Sequence, residues 1–330
     1  MVKKLSYILI GLLCLICTNC EKQAEPFVSV IFDTDMGPDY DDVGALAMLH
    51  AMADSGEVKI LATLSSNLYI NSVPCIEIIN RYFGRPDIPL GAPRTGVNMI
   101  DPRFSGNYWP EIIPERYPHQ LKRTEDAPDA VSVYRKILSS QPDNSIHIVT
   151  VGFFTNLAAL LQSQPDEYSN LDGVTLVKKK VKRLIAMAGA FPKGREFNVC
   201  TDPAASVFVF EQWPTPVTLS GFEIGVDILT GKRLIASGIT NSPVKDVFSI
   251  GLTVDVNGRS SWDQTAVLVG VRGCKDYFDT VKGRMIVDSS GDNTWKDDPE
   301  GTHERLIWKI QKEEITRIIE DMMMHQPKNK

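Results

Sequence analysis

An apolar run, Val28 to Phe32, opens the folded part of the chain and is followed at once by a burst of acidic positions. Val43, Leu46 and Ala47, with His50, then recur at helical spacing and give one buried face to a helix that starts near Asp41 and Asp42. Val58 to Leu64 reads as a second strand ending at Ser65-Ser66-Asn67, and the spacing predicts a helix from Ser72 to Phe83, stopped by Gly84 and Pro86. Further helices are expected over Ala127 to Ser139, from Leu157 onward, over Asp202 to Gln212 and over Trp262 to Val271. Further strands are expected over Ser145 to Val151, Leu184 to Met187 and Pro216 to Ser220. Val281 to Val287 with the Gly291-Asp292-Asn293 turn reads as a hairpin, and a last helix is expected over His303 to Met324. The basic run Lys178 to Arg183 reads as a solvated turn and strand entry. Residues 91 to 125 have no clear period and are rich in Pro, Gly and aromatics. Such a stretch is either a substrate-facing loop or a surface excursion packed on its own rings. The alternation of strand and helix patterns gives βαβ units and a parallel sheet. The fold class is therefore α/β, one doubly wound, mostly parallel sheet flanked by helices, in which ligands bind beyond the carboxyl ends of the strands.

Composition changes this picture at one end only. A net charge of −6 over 330 residues argues against a nucleic-acid partner. Lys3 and Lys4 precede an apolar run, Leu5 to Ile16, too short for a stable membrane span and suited to a signal-peptide core. Cys20 follows small and polar residues and precedes a charged, polar stretch, so residues 1–20 read as a lipoprotein-type signal with Cys20 as the lipidated residue. An ordinary secretory signal is the alternative. Residues 21–26 are then a tether, residues 27–330 the domain, and the mature protein is exported to the periplasm or cell envelope. Cys75, Cys200 and Cys274 are too few and too scattered for a disulfide framework or a thiolate metal site.

The chemistry concentrates at strand ends. Asp33, Asp35, Asp39, Asp41 and Asp42 place five carboxylates within ten residues. Like charges about 4 Å apart repel by roughly 1 kcal/mol in water and by more in a less polar medium. A hard cation with oxygen ligands is the simplest compensation. Later strand ends add Asn67, Val151, Met187, Glu196, Asn198 and Asp263.

This set, in this order, resembles the inosine-uridine preferring nucleoside hydrolases. The family hallmark Asp-x-Asp-Pro-Gly-x-Asp-Asp is present as Asp33-Thr34-Asp35-Met36-Gly37, a two-residue expansion, and Asp41-Asp42. Val151-Gly152, Thr155-Asn156, Met187-Ala188-Gly189, Glu196-Phe197-Asn198 and Trp262-Asp263 extend the likeness over nearly the whole mature chain. The resemblance implies a Rossmann-like fold and Ca²⁺-dependent hydrolysis of the N-glycosidic bond of ribonucleosides. It implies Asp35, Asp42, Asp263 and the Val151 carbonyl as metal ligands, with Asp35 also the general base. It implies Asp41 and Asn198 at the ribose hydroxyls, with Asn67, Met187 and Glu196 alongside, Asp33 as support, and a homo-oligomer. Asp39 has no counterpart and reads as a solvated loop carboxylate. Many members carry His before the last metal-binding Asp. Here it is Trp262, as in the purine-specific branch, so the base is expected to stack on Trp262, opposite Phe104, Tyr108 or Trp109. His119 is the one histidine to test as an alternative acid. Two other readings remain: a phosphotransferase of the haloacid-dehalogenase type, and an exported nucleoside- or sugar-binding protein without hydrolysis. The cations Lys193 and Arg195, where a sugar-contacting Asn is usual, leave room for another ribosyl substrate.

Overall fold

The computed structural model describes residues 27–101, 103 and 108–328. The signal and tether at 1–26, with Cys20, and Phe104 lie outside the described residues. The chain builds β1 (Val28–Thr34), β2 (Val58–Ser65), β3 (Leu90–Gly91), β4 (Ile146–Thr150), β5 (Val181–Met187), β6 (Lys193–Gly194) and β7 (Val217–Ser220). A small ribbon, β8 (Leu229–Thr230) with β9 (Arg259–Ser260), precedes β10 (Phe278–Val287), β11 (Asn293–Asp297) and β12 (His303–Trp308). The main sheet runs β3-β2-β1-β4-β5-β7-β12-β10-β11-β6. Its pairings are parallel from β3 through β12 and antiparallel from there to β6.

Side-chain alternation places the sheet between two apolar layers. Val30 and Phe32 of β1 enter one core, with the helices Asp41–Asp54, Ser72–Tyr82 and Trp262–Arg272. Ile31, between them, enters the other, with the helices Ala130–Ser140, Thr155–Gln162 and Pro203–Gln212. The Asp41–Asp54 helix is buried beyond the expected single face: Ala45, Met48, Leu49 and Met52 are inaccessible too. The Trp262–Arg272 helix packs so closely that a Cβ at Gly44 would strike the Gln264 amide. Helix starts follow the sequence signals. Asp129 and Asp202 accept from the backbone N–H groups of Ser132 and Ala205 as N-caps.

Three expectations are corrected. The last helix covers only Lys312–Met323, because His303–Trp308 is β12, paired on both sides with β7 and β10. The lysines at 178–180 close a helix, Gly173–Lys180, where cations suit the carboxyl end of the dipole. Residues 91–125 hold a helix, Trp109–Arg116, whose first residue is fully buried.

Candidate active site

The carboxyl ends of β1, β4 and β5 meet at one point because two backbones approach closely there. A Cβ at Gly152, just past β4, would collide with the Asp35 nitrogen and the Thr34 carbonyl carbon. Val151 N–H donates to the Asp33 carbonyl at 2.8 Å, fixing the two strand ends together. Beyond them opens a cavity of about 350 Å³. Asp35, Asp39, Asp41 and Asp263 line it, as do Val151, Met187, Glu196 and Asn198, with Arg103, Arg195, Arg259 and the rings of Phe197, Phe222 and Trp262.

Asp33 turns away from this cavity. It accepts from Tyr134 Oη at 2.8 Å and from Asn156 Nδ2 at 3.1 Å, and burial pushes its carboxyl up to about 7. Thr34 Oγ1 donates to Asp42 Oδ1, and the other Asp42 oxygen, Oδ2, is buried with no hydrogen-bond partner. Burial, then the negative charge of neighbouring carboxylates, pushes Asp35, Asp42 and Asp263 well above the usual carboxylate range. An orphaned carboxylate oxygen among three carboxyls so destabilised fits a bound cation. Asp42 and Asp263 could hold it, and the family resemblance adds Asp35 and the Val151 carbonyl, two residues of the cavity lining. One carboxylate oxygen each from Asp39, Asp41, Asp42 and Asp263 also fall within 4.8 Å of one another.

The sugar-binding candidates divide. Asn198 lines the cavity, its Nδ2 donating to the carbonyls of Val151 and Met187 at 3.1 and 3.2 Å. Glu196 caps the Phe197–Thr201 helix, accepting from Asn198 N–H at 2.8 Å and Val199 N–H at 3.2 Å. Burial raises its carboxyl to about 7. Asn67 is not brought to the cavity. Its Nδ2 donates to the carbonyls of Asp35 and Met99, and its Oδ1 accepts from the N–H groups of Tyr69 and Met99. The amide is thus used inside the fold, bracing the Asp35 backbone and pinning residue 99. Asp41 is brought to the cavity but is already engaged. Arg259 Nε and Nη2 donate to its Oδ1 at 2.8 and 2.6 Å, and Asp263 N–H donates to its Oδ2 at 3.3 Å.

Asp39, read from sequence as a bystander, also pairs with Arg259 and lines the cavity. Arg259 itself escaped notice because a lone Arg in a Gly- and Ser-containing turn resembles a solvated residue. Trp262 is at the cavity wall, with Phe222 stacked on its ring at 5.3 Å and the Arg259 guanidinium carbon 5.1 Å from its centroid. The exposed rings at the cavity are Phe222 and Phe197. Tyr108 and Trp109 do not face it. Both are in the core, with Tyr108 Oη donating to the Gly37 carbonyl at 2.6 Å. His119 holds the Tyr117 carbonyl at 3.0 Å, away from the cavity lining.

This chain is 30% identical over 210 residues to the pyrimidine-specific ribonucleoside hydrolase RihA of Salmonella schwarzengrund, a match over 59% of this chain and 60% of that one. The chain spans 60 to 66% of the length of the first curated relatives it matches. Its fold is shared with a plant nucleoside hydrolase at TM-score 0.69 and 20% identity, over 91% of this chain and 99% of that structure. A purine-preferring ribonucleoside hydrolase from Gardnerella vaginalis gives TM-score 0.69 at 18% identity, over 90% and 99%. The profile of one family runs from inside β1 to the start of β12, residues 30–304, and so takes in every carboxylate of the cavity floor. The chain belongs to the inosine-uridine preferring nucleoside hydrolase family.

Proposed function

We propose that the protein hydrolyses the N-glycosidic bond of ribonucleosides with Ca²⁺ bound at Asp35, Asp42, Asp263 and the Val151 carbonyl, and that purine nucleosides are its better substrates. The observation that supports this reading is the unpaired, fully buried Asp42 Oδ2, within reach of Asp41 and Asp263, which line a cavity with aromatic walls. A bound Ca²⁺ would accept six to eight oxygens, neutralise the clustered charge and hold sugar hydroxyls and water together. The chain's own residues then act on the substrate. Asn198, held by the Val151 and Met187 carbonyls, meets the ribose hydroxyls. Asp35 receives a proton from the attacking water as its oxygen bonds to C1′. The C–N bond breaks with its electron pair on the base, which leaves protonated from solvent. Carboxylates beside the ring stabilise the positive charge that develops on the sugar. The rings of Phe222 and Phe197, with the indole of Trp262 behind Phe222, offer a π surface to the base. The wider surface of a purine gains more from it.

The test is incubation of the mature protein with a panel of purine and pyrimidine nucleosides, with Ca²⁺ or with EDTA, measuring free base and free ribose. Calcium-dependent release of both, faster from purines, is expected. Binding without release would favour the exported binding protein, and release from pyrimidines alone would overturn the purine assignment.

A further inference from the structure

Asp35, Asp39, Asp41 and Asp263 line the cavity and Asp42 lies within reach of three of them, and one buried cation touches some of these carboxylates and not the others. Arg259 is only 5% exposed. Its Nε and Nη2 fork onto Asp41 Oδ1, Nη2 also pairs with Asp39, and Nη1 lies 3.5 Å from Asp255 Oδ2. The rings of Tyr40 and Trp262 hold the guanidinium carbon at 5.1 Å each. Tyr40 Oη donates to Asp255 Oδ2 at 3.0 Å, so the frame around the guanidinium is itself hydrogen-bonded. Among the described residues Arg259 makes no ion pair or hydrogen bond with Asp35, Asp42 or Asp263. The carboxylate oxygens of Asp39, Asp41, Asp42 and Asp263 are all near enough to share one ion. Distance alone therefore allows a cation to sit on either half of the cluster.

We propose that Arg259 is a positioning residue that divides this cluster. It claims Asp39 and Asp41, and so confines a divalent ion to Asp42, Asp263 and Asp35. The division rests on the calcium reading given above. Three features point to it. The guanidinium is permanently charged, and of this cluster its donors take Asp39 and Asp41. The carboxylate left with an unpartnered oxygen, Asp42, is on the side Arg259 does not reach. The aromatic braces keep the guanidinium from swinging toward that side. A second consequence concerns the sugar. Asp41, held through one oxygen by Arg259 and through the other by Asp263 N–H, has a fixed orientation toward the cavity.

Calcium titration by calorimetry on the whole mature protein, with no nucleoside present, tests the division. The wild type is expected to bind one Ca²⁺. In Arg259→Gln, Asp39 and Asp41 lose their partner and a cation that repels Ca²⁺ is removed. Affinity is expected to rise at least about tenfold, or a second equivalent to bind, because opposing charges act strongly in a buried site. Arg259→Lys keeps the charge and is expected to restore single-ion binding. Its ammonium lacks the fork, so kcat is expected to stay below wild type. A folded Arg259→Gln protein with unchanged or weaker Ca²⁺ binding and unchanged stoichiometry overturns the proposal. Asp39→Asn, at a partly exposed position, covers the case in which Arg259→Gln does not fold. Affinity within tenfold of wild type is expected there, and a larger loss would make Asp39 a ligand and overturn the division. A wild type that binds Ca²⁺ but hydrolyses no nucleoside leaves the division standing, whereas one that binds no Ca²⁺ removes it.

Discussion

Phe222 is the residue at which the aromatic wall of the cavity turns outward. It is 43% exposed, while Trp262 behind it already carries a ring contact and a guanidinium. Stacking of a base on one aromatic side chain is worth about 1–3 kcal/mol. Phe222→Ala is therefore expected to raise KM for purine nucleosides about tenfold while changing kcat less, read from steady-state kinetics, with a smaller effect on pyrimidines. An unchanged KM for all nucleosides would remove Phe222 from the base site. Asp33 poses a different demand. Its buried carboxyl relies on Tyr134 and Asn156, and Asn156→Leu removes one donor while leaving the acid buried. A loss on the order of 2 kcal/mol is expected in urea denaturation. These two residues also mark what sequence can convey. The Asp cluster, Glu196 and Asn198 are legible because they sit in short motifs at strand ends. Arg259 is not, because Asp41 is 218 positions away in the chain and no local pattern announces the pair. Asn67 sits in a motif, but no local pattern announces its amide partners inside the fold, which include Met99 in a loop without a period.

The pattern gave the elements near the site correctly wherever apolar spacing and a stop signal agreed, as in β1, β2 and the helix Ser72–Tyr82. It failed at His303–Trp308. Six residues are too few to separate a period of two from one of 3.6, and the true helix beginning at Lys312 lent the stretch its rhythm. Two histidines on these elements carry a consequence for pH. His50, on the Asp41–Asp54 helix, lies between Phe83 and Asn80, and burial lowers its pKa to about 3. His303, on β12, accepts from Met285 N–H at 3.0 Å, and burial lowers it to about 4. Unfolded, both titrate near 6.5. Below that value the unfolded chain binds protons that the folded one refuses. Their contribution is full above about pH 6.5 and is lost as pH falls toward 4 and then 3. His303→Gln keeps an acceptor for the Met285 N–H without the titration. The difference in urea midpoint between wild type and this variant is expected to shift in the variant's favour between pH 7 and pH 5. A constant difference would mean that His303 titrates normally in the folded protein.

At the scale of the molecule, two apolar layers close over a sheet whose carboxyl edge carries several buried acids. That edge sets a conflict. Asp33 and Asp41 are both pushed up to about 7 by burial, and Asp35, Asp42 and Asp263 are raised in the same direction. For these groups the sign is opposite to that of the histidines. The folded protein binds more protons than the unfolded chain, so their stabilising protonation is complete below about pH 4. It is lost as pH rises through the raised folded values, which for Asp33 and Asp41 lie near 7. A bound cation would replace the protons and remove the conflict. Calcium binding as proposed above is then expected to compete with protonation and to strengthen as pH rises. The quantity to measure is the difference in Tm between protein in excess Ca²⁺ and protein in EDTA, at each pH from 5 to 8. The histidine contributions are common to both samples and cancel in that difference. It is expected to grow from pH 5 to pH 8, reaching about 2–3 kcal/mol of stabilisation when free Ca²⁺ is about a hundredfold above its Kd. Mg²⁺, which holds its water and demands a tighter octahedron, is expected to give a smaller difference at equal concentration. Asp42→Asn is expected to abolish the Ca²⁺-dependent difference while making the EDTA sample less sensitive to pH, because the acid that needs the cation is gone. A Tm difference that stays flat across pH, or that survives intact in Asp42→Asn, would place the cation elsewhere and leave the buried acids to be balanced by protons alone.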